Sequence, residues 1–186
     1  MSSSPKTAFI SGPLDVDLSY FTTYYQPLID SAIASNHTFI IGPVSGIDTL
    51  ALTYLTSLPI SRSRISIYMT DWEAALHLPR LENLGVKLVI LKDTLTTRER
   101  DAAMTRDSDY DVLRFRTQEE SKMFYEGSWR MRVSNTEMNW RRRRGDGGEY
   151  VRHVARGKRD ESGRGSWKKG EDGVEVCDGM CDGHRE

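Results

Sequence analysis

The stretch FIIGPVSGIDTLALTYL, residues 39–55, passes from an apolar run of strand length through a glycine loop into a helical pattern. It predicts a strand over Thr38–Ile41, a loop over residues 42–48 and a helix that Ser45 can cap. The apolar residues of that helix recur at spacings of three and four, as one buried face requires: Ile47, Leu50, Ala51, Tyr54 and Leu55. A strand, a glycine loop and a helix in this order are typical of parallel sheets joined by crossover helices.

The same alternation extends along the chain on both sides of this stretch. Four further apolar runs have strand length, at residues 7–11, 64–69, 87–91 and 111–116. Helical periodicity lies between them at residues 17–35, at residues 71–84 around Pro79, and after a cap at Thr96 or Thr97. Helices over residues 118–125 and 134–144 follow. The pattern predicts a Rossmann-like three-layer α/β sandwich with a mainly parallel sheet of about five strands.

The composition of the chain indicates three regions, and it limits the partners and the cellular compartment that we expect. Residues 1–6 are predicted to be flexible, residues 7–144 to form one domain, and residues 145–186, with ten of the fifteen glycines, to be a disordered charged tail. Because 26 basic residues balance 27 acidic ones, net charge argues against nucleic acid as a partner. The apolar run at residues 8–10 is too short for a signal sequence or a membrane span. We therefore expect a cytoplasmic protein without a membrane partner, and assembly into a homo-oligomer stays open.

Two glycine-containing loops follow the first two predicted strands, where ligands bind in open α/β sheets. Glycine lets a backbone approach a ligand, and free N–H groups at a helix start attract phosphate. Asp48 is suited to accept hydrogen bonds from ribose hydroxyls or a base amine. In the alternative interpretation the glycines only make turns and Asp48 only stabilises the helix start. The candidate ligand-binding residues in these loops are Ser11, Gly12, Gly42, Ser45, Gly46 and Asp48.

These loops resemble those of a known group of proteins. Gly42, Gly46, Asp48 and Ala51 match the G-x-x-x-G-x-D-x-x-A pattern of the SLOG superfamily, the Rossmann-like group named for DNA-processing protein A and the LOG cytokinin-activating enzymes. The opening AFISGPLD, residues 8–15, resembles the start of nucleoside 2-deoxyribosyltransferases, and residues 96–115 resemble small members of the SLOG group. The resemblance implies a Rossmann-like fold and a pocket for a small-molecule ligand of nucleotide type.

The resemblance does not extend to a catalytic motif. LOG-type phosphoribohydrolases carry a PGGxGTxxE stretch, and deoxyribosyltransferases carry a nucleophilic glutamate in a D-G-T-x-x-E helix start; neither occurs in this chain. If the protein cleaves or transfers an N-glycosidic bond, Asp48 is the carboxylate that we nominate as catalytic, with Glu137 second. A nucleotide-binding function is therefore favoured over catalysis.

Further candidate ligand contacts lie at two later helix starts. Arg100 can reach a phosphate across the mouth of the pocket, or it can belong to a solvated helix end. Ser134 and Thr136, which with Asn139 match a Ser-x-Thr-x-x-Asn segment of SLOG proteins, can offer hydroxyls to a ligand, although capping alone explains Ser134.

No metal site and no cofactor are predicted. The aspartates between residues 107 and 111 are typical of turn capping, and Cys177, Cys181 and His184 lack a fourth ligand. A third hypothesis, beside ligand binding and N-glycosidic chemistry, is an interaction protein that recruits a partner through the arginine run at residues 141–144 and the tail.

Overall fold

The computed structural model describes residues 4–145, 167–169 and 175–177. Contacts divide the chain into two units, residues 1–147 and 148–186. The first unit contains a five-stranded parallel sheet in the order β4-β3-β2-β1-β5. Its strands are β1 (Thr7–Ser11), β2 (Thr38–Ile41), β3 (Ile65–Thr70), β4 (Lys87–Leu91) and β5 (Tyr110–Leu113).

Seven helices surround this sheet in the described part of the first unit. They are α1 (Leu18–Tyr24), α2 (Gln26–Ala34), α3 (Ile47–Ser57), α4 (Asp71–Leu81), α5 (Thr97–Arg106), α6 (Gln118–Tyr125) and α7 (Asn135–Arg144). Short 3₁₀ segments occupy Arg62–Arg64, Glu82–Leu84 and Glu126–Ser128. Among the described residues, no helix has the length and apolar character needed to cross a membrane.

Alternate strand residues enter two separate cores. Ala8 and Ile10 of β1 pack in the larger core, which also receives Phe21, Ile29 and Leu55 from the helices α1 to α3 and Ala74 and Leu81 from α4. Phe9 between them points to the opposite face, where it packs with Met104 of α5. Helix α7 contacts α5 and β5 on that second face. The two helical layers and the sheet confirm the predicted Rossmann-like three-layer α/β fold.

The strand order places a crevice between β1 and β5. Strands β2, β3 and β4 are added one after another on one side of β1, and β5 lies on its other side. In an open parallel sheet the loops that leave two such strands diverge, and ligands bind outside their carboxyl ends. Tyr25 lies at the base of this crevice and contacts the ends of both strands. Its hydroxyl accepts a hydrogen bond from the Arg114 backbone N–H at 2.9 Å and lies 3.0 Å from the Ser11 carbonyl oxygen.

Tyr25 also explains two differences from the sequence prediction. The helix predicted over residues 17–35 is two helices that meet at Tyr25, since Pro27 in the first turn of α2 cannot continue the hydrogen-bonding of α1. The last strand, predicted to reach residue 116, ends at Leu113 because the next N–H, that of Arg114, bonds the Tyr25 hydroxyl. The other strand predictions agree with the structure to within one residue.

Other predicted helix ends have mixed outcomes. The cap at Thr96 with Glu99 is confirmed as a reciprocal capping box, and Ser134 caps α7 through the Glu137 N–H at 3.1 Å. The helix predicted over residues 71–84 ends at Leu81 and continues as a 3₁₀ turn. The predicted tail lies outside the described residues, except that β6 (Trp167–Lys169) and β7 (Glu175–Cys177) form an antiparallel pair that the sequence does not predict.

The prediction that Ser45 caps α3 is wrong. The N-cap is Gly46, at φ +77°, and Ser45 is exposed. The Ile47 N–H donates to the Pro13 carbonyl oxygen at 3.2 Å, so the loop after β1 occupies the helix start. A Cβ at Gly46 would lie 2.3 Å from that same oxygen. The two glycine loops therefore interlock, and Gly46 is needed both for its left-handed backbone and for this close approach.

We expect Gly46→Ala to lower the free energy of unfolding by about 3 kcal/mol or more, since strain and backbone overlap add. Gly85→Ala is the matched control, because Gly85 has φ +70° but its Cβ would meet nothing closer than 3.8 Å. The free energy of unfolding of the control should fall by about 1 kcal/mol, which is the contribution of backbone strain alone. Urea denaturation measures both, and equal losses would contradict the interlock.

Candidate functional site

A cavity of about 630 Å³ opens at the carboxyl ends of β1 and β5. Its walls come from the loop after β1, the start of α3, the start of α5 and the chain from residue 115 to residue 137. Six of the nine residues predicted as ligand contacts line this cavity: Ser11, Gly12, Asp48, Arg100, Ser134 and Thr136. The structure therefore brings together residues that are separated by up to 125 positions in the chain.

The three other predicted contacts, Gly42, Ser45 and Gly46, are not among the lining residues. A Cβ at Gly42 would lie 2.4 Å from Oδ2 of Asp48, and one at Gly12 would lie 2.5 Å from the Tyr25 hydroxyl. The close approaches at these glycines are made by groups of the protein. The structure thus gives the glycines a packing role where the sequence indicated close contact with a ligand.

A buried ion cluster forms the floor of the cavity. The guanidinium of Arg100, 4% exposed, forms an ion pair with Glu73 and another with Asp101, whose Oδ1 accepts from Nη2 at 2.8 Å and from Nε at 3.1 Å. Arg100 therefore lies in the floor, where two carboxylates already hold it, and not across the mouth of the pocket. A buried charge requires partners of this kind, because desolvation of an unpaired ion is costly.

Glu73, a residue that sequence reasoning missed, is fully buried. Its second carboxylate oxygen accepts from the backbone N–H of Thr70 at 3.0 Å, as part of the capping box that starts α4. Thr70 followed by Glu73 is a capping signal in the sequence. That signal locates a helix start, but it does not reveal that the carboxylate meets an arginine 27 positions later.

Helix α7 is tied to the floor through Asn139. Its side-chain amide donates to Ser11 Oγ at 3.1 Å and to Asp101 Oδ2 at 3.2 Å, and its oxygen accepts from Arg142 at 2.7 Å. Thr136, one turn earlier, is buried at the cavity wall. Ser134, Thr136 and Asn139 thus belong to the start of a helix that closes one side of the cavity.

Asp48 is the third carboxylate of the floor, and it is 7% exposed. Burial, together with the negative charges of Asp101 and Glu73, raises its pKa to about 8, against the opposing effects of Arg100 and of a hydrogen bond from the Gly42 backbone. The carboxyl group is therefore protonated at neutral pH, and it can both donate and accept a hydrogen bond.

The mouth of the cavity has the opposite electrostatic character. Four arginines line it, namely Arg98, Arg116, Arg130 and Arg132, and three of them are exposed while Arg116 is half-buried. Arg116 packs over the Phe124 ring, with Cζ 3.8 Å from the ring centroid. Aromatic side chains of Tyr125 and Trp129 line the same part of the cavity, and the Arg116 Cζ lies 5.9 Å from the Tyr125 ring centroid. Sequence reasoning missed this rim, because no motif marks Arg98 in the first turn of α5 or the isolated Arg116, Arg130 and Arg132 outside the helices and strands.

The arginine run at residues 141–144 is engaged within the domain. Arg141 pairs with Glu137, Arg142 donates to Asn139, Arg143 binds Asp111 and Ser108, and Arg144 lies over the Trp140 ring. The residues between 107 and 111 also have structural partners, since Asp109 accepts from the Thr7 N–H at 2.7 Å. Within the described chain, no group of three or more His, Cys, Asp or Glu residues could hold a metal ion.

Asp48→Asn should change how stability depends on pH. The folded protein keeps the Asp48 proton up to about pH 8, whereas the unfolded chain releases it near pH 4. Unfolding therefore releases a proton between these values, and wild-type stability should fall with rising pH by up to about 1.4 kcal/mol per unit from this group. The Asn variant lacks this contribution, so its stability relative to wild type should rise across the window. Urea denaturation from about pH 5 to about pH 8 measures the difference, and parallel curves would contradict the assignment.

No protein-family model, curated protein or solved structure matches the chain. The SLOG resemblance of residues 42–51 therefore stays a prediction from the sequence, and the function has to be inferred from the geometry of the site.

Proposed function

We propose that the protein binds a nucleotide, a nucleoside or a nucleotide-derived small molecule in the cavity between β1 and β5. The observation that carries this proposal is the division of one cavity into a floor with a neutral carboxyl group and a mouth with four arginines. A ligand that suits both ends has an anionic group joined to a neutral group that forms hydrogen bonds. Nucleotides have this composition.

The mouth suits a phosphate group. Arginine binds phosphate oxygens through planar, paired N–H donors. Helices α5 and α7 also point their N-terminal ends at the cavity, where Thr97 and Asn135 are lining residues. The partial positive charge of a helix N-terminus adds to that of the arginines.

The interior suits a base and a sugar. Apolar surface of Phe9, Met104 and Phe115 lines the cavity beside the hydroxyl of Ser11 and the carboxyl of Asp48. The volume of about 630 Å³ lies within the usual range for small-molecule sites. The position outside the carboxyl ends of β1 and β5 is where ligands bind in open α/β sheets.

Calorimetric titration tests the proposal with adenosine, cytidine and uridine 5′-monophosphates and with the matching nucleosides. We expect at least one nucleotide to bind, and to bind more tightly than its nucleoside. Arg132→Ala should weaken nucleotide binding by about two- to fivefold, the usual value of one exposed ion pair. Arg106→Ala is the matched control, because Arg106 is exposed and is not a lining residue. Folded protein that gives no heat with any of these ligands would overturn the proposal.

N-glycosidic bond cleavage is a second candidate function, favoured by the protonated state of Asp48. A neutral carboxyl group can donate its proton to the leaving base while water attacks C1′ of the sugar and the C–N bond breaks, and the proton that the water loses then restores the carboxyl group. Glu73 and Asp101 are held by Arg100, so neither is free to act as a nucleophile. This geometry supports Asp48 as a general acid and not as the nucleophile.

Chromatographic detection of free base tests this second function with the nucleotides that bind. If the protein is a hydrolase, Asp48→Asn should reduce base release by about 10²-fold or more, because the amide cannot donate a proton to the leaving group. The variant should still bind nucleotide, so the loss should fall on turnover and not on affinity. If wild-type protein binds nucleotide and releases no base, the hydrolase function is wrong and only the binding function remains.

A further inference from the structure

We propose that the base of the ligand enters the floor against Asp48 while the phosphate stays among the arginines of the mouth, and that ionisation of Asp48 makes the floor selective for an amino-bearing base. This inference rests on the proposed nucleotide-binding function. It adds the orientation of the ligand and the chemical class of the base.

The hydrogen-bonding capacity of the floor carboxylates distinguishes Asp48 from the other two. Both oxygens of Glu73 are engaged, one by Arg100 and one by Thr70. Both oxygens of Asp101 are engaged as well, by Arg100 and by Asn139. Asp48, which lines the cavity, accepts a hydrogen bond from the Gly42 backbone, but within residues 4–145 no side chain donates to it, so one of its two oxygens is left for a ligand. Asp48 is therefore the floor carboxyl with capacity left for a ligand.

The charges around Asp48 determine which end of a ligand can reach it. Arg100 and Asp101 face it from α5, Glu73 faces it from α4, and the Tyr25 hydroxyl faces it from the junction of α1 and α2. Burial raises the pKa of Tyr25, so that its hydroxyl stays neutral. Two carboxylates and the neutral carboxyl group of Asp48 thus surround a single cation, and a phosphate in the floor would add a further negative charge. Electrostatics therefore keeps the phosphate at the mouth and brings the base to Asp48.

The protonation state of Asp48 then controls the choice of base. A protonated carboxyl group can donate to a base carbonyl or accept from a base amine, so it accommodates both. An ionised carboxylate only accepts, and it repels a carbonyl oxygen. Ionisation of Asp48 should therefore favour a base with an amino group, such as cytosine, over one that offers only acceptors on that edge, such as 2-pyrimidinone.

The 5′-monophosphates of cytidine and of the 2-pyrimidinone ribonucleoside form a matched pair for the test, because their bases share the same acceptor ring nitrogen and differ only by the exocyclic amino group. Their affinities for the full chain are measured by calorimetry from about pH 6 to about pH 8.5, a range across which Asp48 ionises. We expect the preference for the cytidine nucleotide to rise by about tenfold over this range, the value of one charge-assisted hydrogen bond. Ionisation of the phosphate is common to both ligands, so it cancels in the ratio.

Asp48→Asn should bind both nucleotides with a ratio that does not change with pH, because an amide offers a donor and an acceptor and does not titrate in this range. Asp93→Asn is the control, since Asp93 is exposed in the turn after β4, is not a lining residue, and has a φ of +57° that asparagine tolerates. It should keep the wild-type rise. Circular dichroism establishes that each variant is folded at each pH.

The outcomes separate this inference from the function on which it rests. If both nucleotides bind wild-type protein at a constant ratio, or if Asp48→Asn keeps the rise, base selection by Asp48 is wrong while nucleotide binding stands. If neither nucleotide binds the folded protein, the proposed function is overturned for these ligands, and base selection is overturned with it.

Discussion

The buried ion cluster around Arg100 is the interaction on which the rest of the site depends. One guanidinium joins Glu73 at the start of α4 to Asp101 of α5, and Asp101 in turn joins Asn139 of α7 and, through that amide, Ser11 of β1. Loss of the arginine would leave two carboxylates buried without a partner, at a cost of about 3–5 kcal/mol. Because the cluster connects elements from both faces of the sheet, it fixes the positions of the cavity walls relative to one another. It also stabilises the domain.

The same cluster gives the cavity its chemistry. Arg100 is fully used by Glu73 and Asp101, so the third carboxyl group, Asp48, has no ion-pair partner of its own and keeps its proton. Acidic groups outnumber Arg100 in the floor, whereas four further arginines outnumber the two other acidic lining residues, Asp15 and Glu137. An arrangement of this kind orients a ligand with one anionic end. A buried arginine near a pocket is therefore not necessarily a ligand contact, because carboxylates of the protein can already form ion pairs with it.

The glycines of the two loops illustrate how one sequence feature can serve a different purpose from the one it indicates. Short glycine motifs after a strand are typical of close backbone approach to phosphate. In this protein the approach is made by the Pro13 carbonyl at Gly46, by the Asp48 carboxyl at Gly42 and by the Tyr25 hydroxyl at Gly12. The loops are thus locked to each other, and Asp48 and Tyr25 are set at fixed positions beneath the crevice. Such preorganisation lets a site bind without paying to order its own loops.

The sequence by itself determined the element order and, to within about one residue for four of the five strands, the sheet, because hydrophobic period and capping signals act over a few neighbouring positions. It also placed Ser11, Asp48, Arg100, Ser134 and Thr136 at strand and helix ends, and the parallel topology brought these ends together at one edge of the sheet. Only the tertiary structure decided what each of them does there. The pairing of Arg100 with Glu73, the protonation of Asp48 and the internal use of the arginines at residues 141–144 depend on partners from other elements and on burial, neither of which is encoded in local spacing.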